Sequence, residues 1–284
     1  MYLNKVTYPR FLLLPSGDLL FELRIGRSGL GDDYLYRYSA ATGSWRAVGA
    51  HNGLFLKGIE NNPYINGMDY ACGRLHISWT YRDFVEDGGE KKDGESGQAG
   101  PNGPENNHDF CYIYSDDEGE TWCDTKGRPL PLPVLPSPEI TIYTIPKYSE
   151  IMNQEGQAAD RLGHFHGLNR ANGKYQHYHR RPDGEWSVSA INDIPAVSFG
   201  CRGKLAVDDA TGSLYALLPG NVDSTFSIVR ARAPLYDRWD VVWAREGYDA
   251  EPLYDRYRSD GVLSVLQRNT GVPRKTFVMD FKLE

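Results

Sequence analysis

The stretch Pro15-Ser-Gly-Asp-Leu-Leu-Phe-Glu-Leu-Arg24 decides the fold, because its pattern returns four more times along the chain. Each copy consists of a glycine, one variable residue, an apolar residue and a run rich in strand-forming residues. The glycine supplies the positive φ of a tight turn, and the run after it is typical of a β-strand. The five glycines are Gly17, Gly73, Gly163, Gly212 and Gly261. Three of the four steps between them are 49 to 56 residues long, which is the length of a four-stranded propeller blade.

A second phrase follows four of these turns and ends in a tryptophan. The first copy is Tyr34-Leu-Tyr-Arg-Tyr-Ser39 followed by Thr42-Gly-Ser-Trp45. Alternating aromatic residues are typical of a half-buried strand, and the Gly-x-Trp turn is typical of a hairpin. The copy Ser115-Asp-Asp-Glu-Gly-Glu-Thr-Trp122 matches the Asp-box of sialidase-like propellers, a structural motif that staples a hairpin and gives no information about catalysis.

The sequence therefore predicts an all-β fold, a β-propeller of four-stranded antiparallel blades with about five blades in one domain over residues 1–284. The remaining step is 90 residues long because 84–107 is polar and glycine-rich, which predicts a disordered surface insertion. The proline-rich stretch 129–138 predicts a connector between blades. The repeats leave open whether the blades close or form an incomplete ring.

The charge and hydropathy of the chain limit the classes of partner that it can bind. A net charge of −7 argues against nucleic acid, and no apolar run is long enough to span a membrane. No apolar segment follows Met1 as it would in a signal peptide. Among the four cysteines, Cys72 and Cys111 can lie on neighbouring strands, so a disulfide and buried free thiols both remain open.

Propellers bind ligands on the innermost strands and the loops at the channel mouth, so polar residues there are the first site candidates. The arginines, amides and tyrosines of these segments are unusual for buried positions, although arginine and tyrosine also pack between blades. The predicted substrate-binding residues are Arg10, Arg27, Tyr64, Asn66, Asn153, Gln154 and Arg202.

Several motifs together resemble the BNR-4 repeat family. They are the Thr7-Tyr-Pro-Arg-Phe segment, the Gly31-Asp-Asp-Tyr-Leu35 segment, Gly73-Arg-Leu-His-Ile-Ser-Trp-Thr-Tyr-Arg82 and the stretch from Asn107 to Trp122. The family contains seven-bladed polysaccharide lyases, among them ulvan lyases and a rhamnose–glucuronate lyase. The resemblance implies an extracellular protein that acts on an anionic polysaccharide containing uronate.

The resemblance also implies a catalytic pair. In the family a tyrosine transfers the proton, and an arginine 16 residues later neutralises the uronate carboxylate during β-elimination. Tyr8 and Arg24 match this spacing, and Tyr64 resembles a further active-site tyrosine. The family's catalytic histidines precede the matching strand, whereas only seven residues precede Tyr8 here. We therefore expect a truncated or shortened propeller that lacks the first two blades.

Four other histidines could form a metal-binding site. His164 and His166 share one strand face, as do His177 and His179. If the two strands pair, two to four imidazoles meet and can bind a transition metal, but the pairs can equally lie on opposite faces. The sequence thus fixes no cofactor and leaves a structural calcium or zinc ion open.

Three functions remain at this stage. The first is a polysaccharide lyase. The second is a non-catalytic propeller that binds glycan or protein, since the proton-shuttling histidine is missing. The third is a sialidase-like glycoside hydrolase, which needs an arginine triad and a tyrosine–glutamate pair. The sequence determines neither the polysaccharide nor the oligomeric state.

Overall fold

A computed structural model describes residues 5–86, 102–197, 200–220 and 224–283. The fold is all-β and of the β-propeller class, with five antiparallel sheets as the blades. The helical content of the described residues is one turn, α1 (Ala50–Gly53), and one 3₁₀ turn, Pro104–Asn106. The prediction of about five blades is confirmed. Strand pairing stays within the individual sheets of the described residues, so hydrogen bonds do not close a ring.

The contacts group the chain into two compact units, and the first, residues 1–154, holds two sheets. The first sheet comprises β1 (Val6–Leu13), β2 (Leu19–Arg27), β3 (Leu30–Ser39), β4 (Ser44–Ala47) and β5 (Leu54–Leu56). The second sheet comprises β6 (Asn61–Ala71), β7 (Arg74–Asp83), β8 (Asn107–Ser115), β9 (Trp122–Cys123), β10 (Pro129–Leu130) and β11 (Thr141–Tyr143). Both sheets thus exceed the four strands predicted for each blade.

The second unit, residues 155–284, holds three sheets. The third sheet comprises β12 (Gly156–Ala159), β13 (Phe165–Ala171), β14 (Lys174–Arg180) and β15 (Trp186–Pro195). The fourth comprises β16 (Lys204–Val207), β17 (Leu214–Pro219), β18 (Phe226–Ala231) and β19 (Trp239–Arg245). The fifth comprises β20 (Leu253–Tyr254), β21 (Val262–Arg268) and β22 (Thr276–Lys282). The third and fourth sheets have the predicted four strands, and the fifth has three.

The repeated glycines form the turns that the sequence predicts. All five have φ between 76° and 87°, which side chains other than glycine rarely adopt. Each turn leads into the second strand of its sheet, namely β2, β7, β13, β17 or β21. The recurring phrase is therefore the hairpin that joins the first two strands of each blade.

Separate apolar clusters stabilise the two units. In the first unit, Leu20, Ile77 and Trp79 belong to one fully buried cluster. In the second unit, one cluster contains Leu168 and Leu214, and a further cluster contains Phe226 and Val265. Burying apolar surface contributes roughly 25 cal/mol per Å², so these clusters are the main stabilising contribution to each unit.

The structure describes both ends of the segment 84–107, for which the sequence predicts a surface insertion. Asn107 begins β8 and is fully buried, and Asn102 and Asn106 are also buried. Their side chains form hydrogen bonds inside the first unit, which explains why polar residues lie there. Residues 87–101 lie outside the described residues. The connector at 129–138 includes β10, and all four cysteines are free thiols.

The Asp-box forms the hairpin staple that its sequence predicts. Ser115 Oγ accepts a hydrogen bond of 2.7 Å from the Gly119 amide, and Asp117 accepts one of 2.8 Å from the Thr121 amide. The Trp122 indole donates to the Gly119 carbonyl oxygen at 3.1 Å. The motif is therefore satisfied by its own backbone, in agreement with a structural role.

Arg37 ties the first sheet to the Asp-box hairpin. Its guanidinium lies 2.7 Å from Asp18, 3.2 Å from Glu118 and 2.9 Å from Glu120, and its side chain is 11% exposed. We expect Arg37→Met to lower the free energy of unfolding by about 2 kcal/mol, because it leaves three carboxylates without their shared cation. Urea unfolding measures this loss. Arg46→Met is the control, since half-exposed Arg46 has Glu120 as its ion-pair partner within the described residues and its loss costs under about 0.5 kcal/mol.

Candidate active site

Tyr8 lies at a β-bulge in β1. The pairing of β1 with β2 shifts between Thr7 and Arg10, and Tyr8 has a φ of 60°. This left-handed conformation costs a tyrosine on the order of 1–3 kcal/mol, and such residues cluster at functional sites. The Tyr8 ring meets the ring of Tyr64 on β6 edge to face, with 5.9 Å between centroids. Tyr8 is 38% exposed, so the bulge places a partly exposed tyrosine at the surface of the first unit.

Arg24 lies beside these two tyrosines. It is the cross-strand partner of Thr7, and its Nη1 donates to Thr7 Oγ1 at 3.0 Å while Nη2 donates to the Arg27 carbonyl oxygen. Its guanidinium carbon is 4.9 Å from the centre of the Tyr64 ring, a cation–π distance. Arg24 is only 3% exposed. Tyr8 and Arg24 thus both lie next to the ring of Tyr64.

A second guanidinium, that of Arg82 on β7, lies 4.8 Å from the Tyr64 ring centre. Arg82 Nε donates to Asn107 Oδ1 at 2.7 Å, Nη1 to Ser28 Oγ at 2.8 Å and Nη2 to Asn153 Oδ1 at 2.7 Å. Burial lowers the pKa of Arg82, but an arginine keeps its proton in proteins. Arg82 therefore fixes the neighbours of Tyr64 through hydrogen bonds that use most of its donors.

Two predicted binding arginines have other partners. Arg10 Nη1 donates to Glu22 Oε2 at 2.9 Å, and Arg10 Nη2 donates to the Ile65 carbonyl oxygen at 2.9 Å. Arg27 is exposed, and its guanidinium lies 4.4 Å from the ring centre of Phe84. Arg10 therefore has a structural ion pair, whereas Arg27 keeps its charge at the surface.

The predicted amides lie in the first unit and are buried. Asn66 Nδ2 donates to Ser78 Oγ at 3.0 Å. Asn153 joins the cluster through Arg82, and it also approaches Gln154 Oε1 at 3.5 Å. Of the predicted amides, only Asn153 is thus bonded directly to the residues around Tyr64.

Arg202 belongs to the second unit, whereas the cluster of Tyr8 and Tyr64 belongs to the first. Its guanidinium forms an ion pair of 2.9 Å with Glu251, and Lys204 binds the other oxygen of the same carboxylate at 2.8 Å. Burial opposes the charge of Glu251, but the two cations hold the pKa of this carboxyl below its usual value. Arg202 is therefore part of an ion-pair network within its unit.

The four histidines of the third sheet do meet. Since β13 pairs with β14, His166 lies opposite His179. His164 Nδ1 is 2.8 Å from His179 Nε2, and His166 Nδ1 is 3.0 Å from His177 Nε2. The rings are nearly parallel, with angles of 12° to 29° between planes. Within the described ranges, no group of three or more His, Cys, Asp or Glu side chains is arranged to hold a metal ion.

Asp160 orients one end of this histidine cluster. Its Oδ2 lies 3.4 Å from His166 Nε2 and accepts a hydrogen bond from the Tyr236 hydroxyl. Burial alone would raise the pKa of Asp160, but the bonds from His166 and Tyr236 hold it well below its usual value. Burial and the neighbouring imidazoles lower the pKa of His179 to about 3 and that of His177 well below 6.5. The cluster is therefore neutral imidazole anchored by an ionised carboxylate.

The two histidines of the second sheet have other partners than Tyr8. His76 Nδ1 is 2.6 Å from the Tyr112 hydroxyl, and the His108 ring lies 2.9 Å from Asp83 and 3.1 Å from Asp109. Burial opposes the charged form of His108, but the hydrogen bond with Asp109 and the charge of Asp83 raise its pKa. His108 borders a cleft of about 300 Å³, and the predicted site residues lie elsewhere.

The sequence did not single out Arg82 or Asn107. Both stand in the quoted family-like segments, and Arg82 lies opposite Asn107 in the pairing of β7 with β8. A sequence signal for these two residues did exist: both are polar, and they stand at the ends of two predicted strands that adjoin each other. These strands follow the innermost strand, which carries Tyr64. The contribution of Ser28 was not foreseeable, because it depends on how a hairpin of the first sheet approaches the second.

The structure also bears on membrane association. In the part of the chain that is described, no helix is long and apolar enough to cross a membrane.

Comparison with known proteins gives sequence relatives. "Ulvan lyase, long isoform" of Alteromonas sp. (strain LOR) is 29% identical over 199 residues, which cover 68% of this chain and 16% of the relative. The protein of the same name from Pseudoalteromonas sp. (strain PLSV) is 29% identical over 145 residues, covering 49% of this chain and 13% of the relative. The chain thus spans less than a fifth of the length of these relatives.

Solved structures share the fold. The polysaccharide lyase Uly1 has a TM-score of 0.66 at 19% identity, with 98% of this chain and 58% of that chain covered. A PL25 ulvan lyase bound to -[GlcA(1-4)Rha3S]- has a TM-score of 0.68 at 17% identity, with 96% and 64% covered. At such identities the likeness establishes the fold alone.

The chain also matches a family model. The sequence model described as "BNR repeat-containing family member" matches residues 2–194, which is more than half of the chain. This chain belongs to the BNR repeat-containing family.

Proposed function

We propose that this propeller is a polysaccharide lyase that cleaves a uronate-containing glycan by β-elimination. The observation that carries the proposal is the contact of an exposed tyrosine, Tyr8, with Tyr64 beside the buried cation of Arg24. The names of the curated relatives support the same class of activity. The partner would be an anionic polysaccharide, and such a polymer is met outside the cell.

The proposed reaction assigns one task to each group. A base removes the C5 proton of the uronate, the bond between C4 and the bridging oxygen breaks, a C4–C5 double bond forms, and an acid protonates the departing oxygen. The Tyr8 oxygen first accepts the C5 proton and then gives a proton to the departing oxygen, a role open to it because the residue is 38% exposed. The positive charge of Arg24 stabilises the charge that develops on the carboxylate. Arg24 Nε is buried and has no hydrogen-bond partner in the described residues.

The alternative is a propeller that binds a glycan without cleaving it. One observation favours it: the contacts of Tyr8 and Arg24 within the described residues include no histidine to share the proton transfer. In that case the tyrosine ring and the surface charge of Arg27 would serve recognition only.

An elimination assay separates these functions. The protein is incubated with ulvan and with other uronate polymers, and the ultraviolet absorbance of unsaturated uronate and the number of reducing ends are followed together. A lyase raises both at equal rates. New reducing ends without absorbance would identify a hydrolase. Binding of the polymer without either product would support the non-catalytic alternative and refute the proposal.

A further inference from the structure

Two carboxyl groups lie buried next to the candidate active site. Glu22 on β2 is 0% exposed and Asp33 on β3 is 1% exposed. In the pairing of the first three strands, Glu22 lies opposite Arg10, and Asp33 lies opposite Arg24. Directly opposed residues point to the same face of an antiparallel sheet, as do residues two apart on one strand. Two carboxyl groups and two guanidinium groups therefore share one buried face.

The hydrogen bonds of these carboxyl groups do not suit two carboxylates. Arg10 donates to Glu22 Oε2, but Glu22 Oε1 and both oxygens of Asp33 receive no hydrogen bond from the described residues. Arg24 directs its Nη atoms to Thr7 and to the Arg27 carbonyl oxygen instead. Burying an ionised carboxylate without donors is very costly, whereas a protonated carboxyl can donate to its neighbour. Burial, followed by the charge of Glu22 and a hydrogen bond with it, raises the pKa of Asp33 well above its usual value.

The protonation of Asp33 decides the charge of this face. With Asp33 neutral, Arg10 and Arg24 face only the single charge of Glu22, so one positive charge is in excess. With Asp33 ionised, the four groups would be neutral overall. An excess charge held in a low-dielectric interior attracts an anion more strongly than one exposed to water.

We propose that Asp33 is a positioning residue that remains protonated and so leaves Arg24 with an uncompensated positive charge for the carboxylate of the substrate. This inference rests on the proposed lyase function for its substrate, but the protonation of Asp33 does not. The charged or titratable groups that act on Asp33 are Glu22 and Arg24 from β2, Arg10 from β1 and Tyr81 from β7.

Stability tests the protonation independently of activity. Because the folded pKa of Asp33 is raised, the folded state holds a proton that the unfolded chain releases above about pH 4. Ionisation thus favours unfolding as the pH rises toward the folded pKa. Asp33→Asn mimics the protonated carboxyl, so we expect its melting temperature at pH 7.5 to exceed that of the unmodified protein by several degrees.

The neighbouring residue supplies the matched control. Asp32 binds Lys57 Nζ at 3.0 Å and accepts a hydrogen bond of 2.9 Å from the Gly58 amide, so it acts as a carboxylate. Asp32→Asn is expected to lower the melting temperature. If Asp33→Asn lowers it as well, or fails to fold, Asp33 is ionised in the folded state and the inference is overturned.

The effect on substrate is measured as KM for a uronate polymer between pH 6 and pH 10. We expect KM of the unmodified protein to rise about tenfold once the pH passes the folded pKa of Asp33, and KM of Asp33→Asn to stay level, with kcat equal in the two proteins. An alkaline rise of equal size in both proteins would refute the role in substrate binding. A stabilised Asp33→Asn in a protein without lyase activity would uphold the protonation and refute the proposed function alone.

Discussion

Tyr8→Phe is expected to lower kcat on a uronate polymer by about 10²–10⁴-fold and to leave KM nearly unchanged. The substitution removes only the hydroxyl that we propose transfers the proton. The ring remains to meet Tyr64, and Arg24 keeps its bonds to Thr7 and to the Arg27 carbonyl oxygen, because neither involves the Tyr8 hydroxyl. Initial rates of ultraviolet absorbance at several polymer concentrations give both constants.

Tyr148→Phe is the control for this experiment. Tyr148 belongs to the same unit, has a similar φ of 65° and is 75% exposed. It therefore reports any effect of removing a hydroxyl from an exposed, left-handed tyrosine, and it should retain full activity. Full activity of Tyr8→Phe would refute the assignment of Tyr8. An equal loss in both variants would also refute it, since the loss would then not depend on the site.

Unfolding at pH 4 is expected to require several kcal/mol less than unfolding at pH 7.5. The folded pKa of His179 is about 3, and those of His164, His166 and His177 are also lowered, chiefly by burial. The unfolded chain binds protons at these groups below about pH 6.5, whereas the folded chain does not. Stability is therefore lost as the pH falls below 6.5, and His179 alone contributes on the order of 3 kcal/mol by pH 4.

Urea unfolding, followed by tryptophan fluorescence between pH 7.5 and pH 4, measures this dependence. The slope of the unfolding free energy against pH gives the number of protons taken up on unfolding. His177→Phe should remove about one proton from the slope, because the ring it replaces is 1% exposed. His108→Gln is the control: the pKa of His108 is raised, so its contribution is present below pH 6.5 and lost above it. A slope of zero between pH 6.5 and pH 4.5 would mean that the folded imidazoles are charged, contrary to the geometry of the cluster.

The blades were predictable because their signals are local. A turn glycine must have a positive φ wherever its hairpin lies, and the Asp-box bonds to its own backbone, so Gly17 and Ser115 reveal their structure within a few residues. The added strands β5 and β11 were not predictable. Each has three residues, and each pairs with a strand from which other short elements separate it in the chain.

The site was predictable in part for the same reason. The spacing of Tyr8 and Arg24 places them on adjacent strands, but it does not reveal that Arg10 is paired with Glu22 while Arg24 is not. Likewise, the alternation of His164 and His166 predicts a shared face, but the register that sets His166 opposite His179 depends on the hairpin between them. Partner choice is a property of register and burial, which short sequence patterns do not encode.

The left-handed conformation of Tyr8 has a consequence for redesigning this protein. Glycine or asparagine would adopt the backbone of position 8 with less strain, so a procedure that selects for thermal resistance alone would discard the tyrosine. Such a replacement would raise the stability but remove the tyrosine hydroxyl that the proposed chemistry requires. Sequences optimised for durability and sequences retained for activity should therefore diverge at this position before they diverge in the hairpins that surround it.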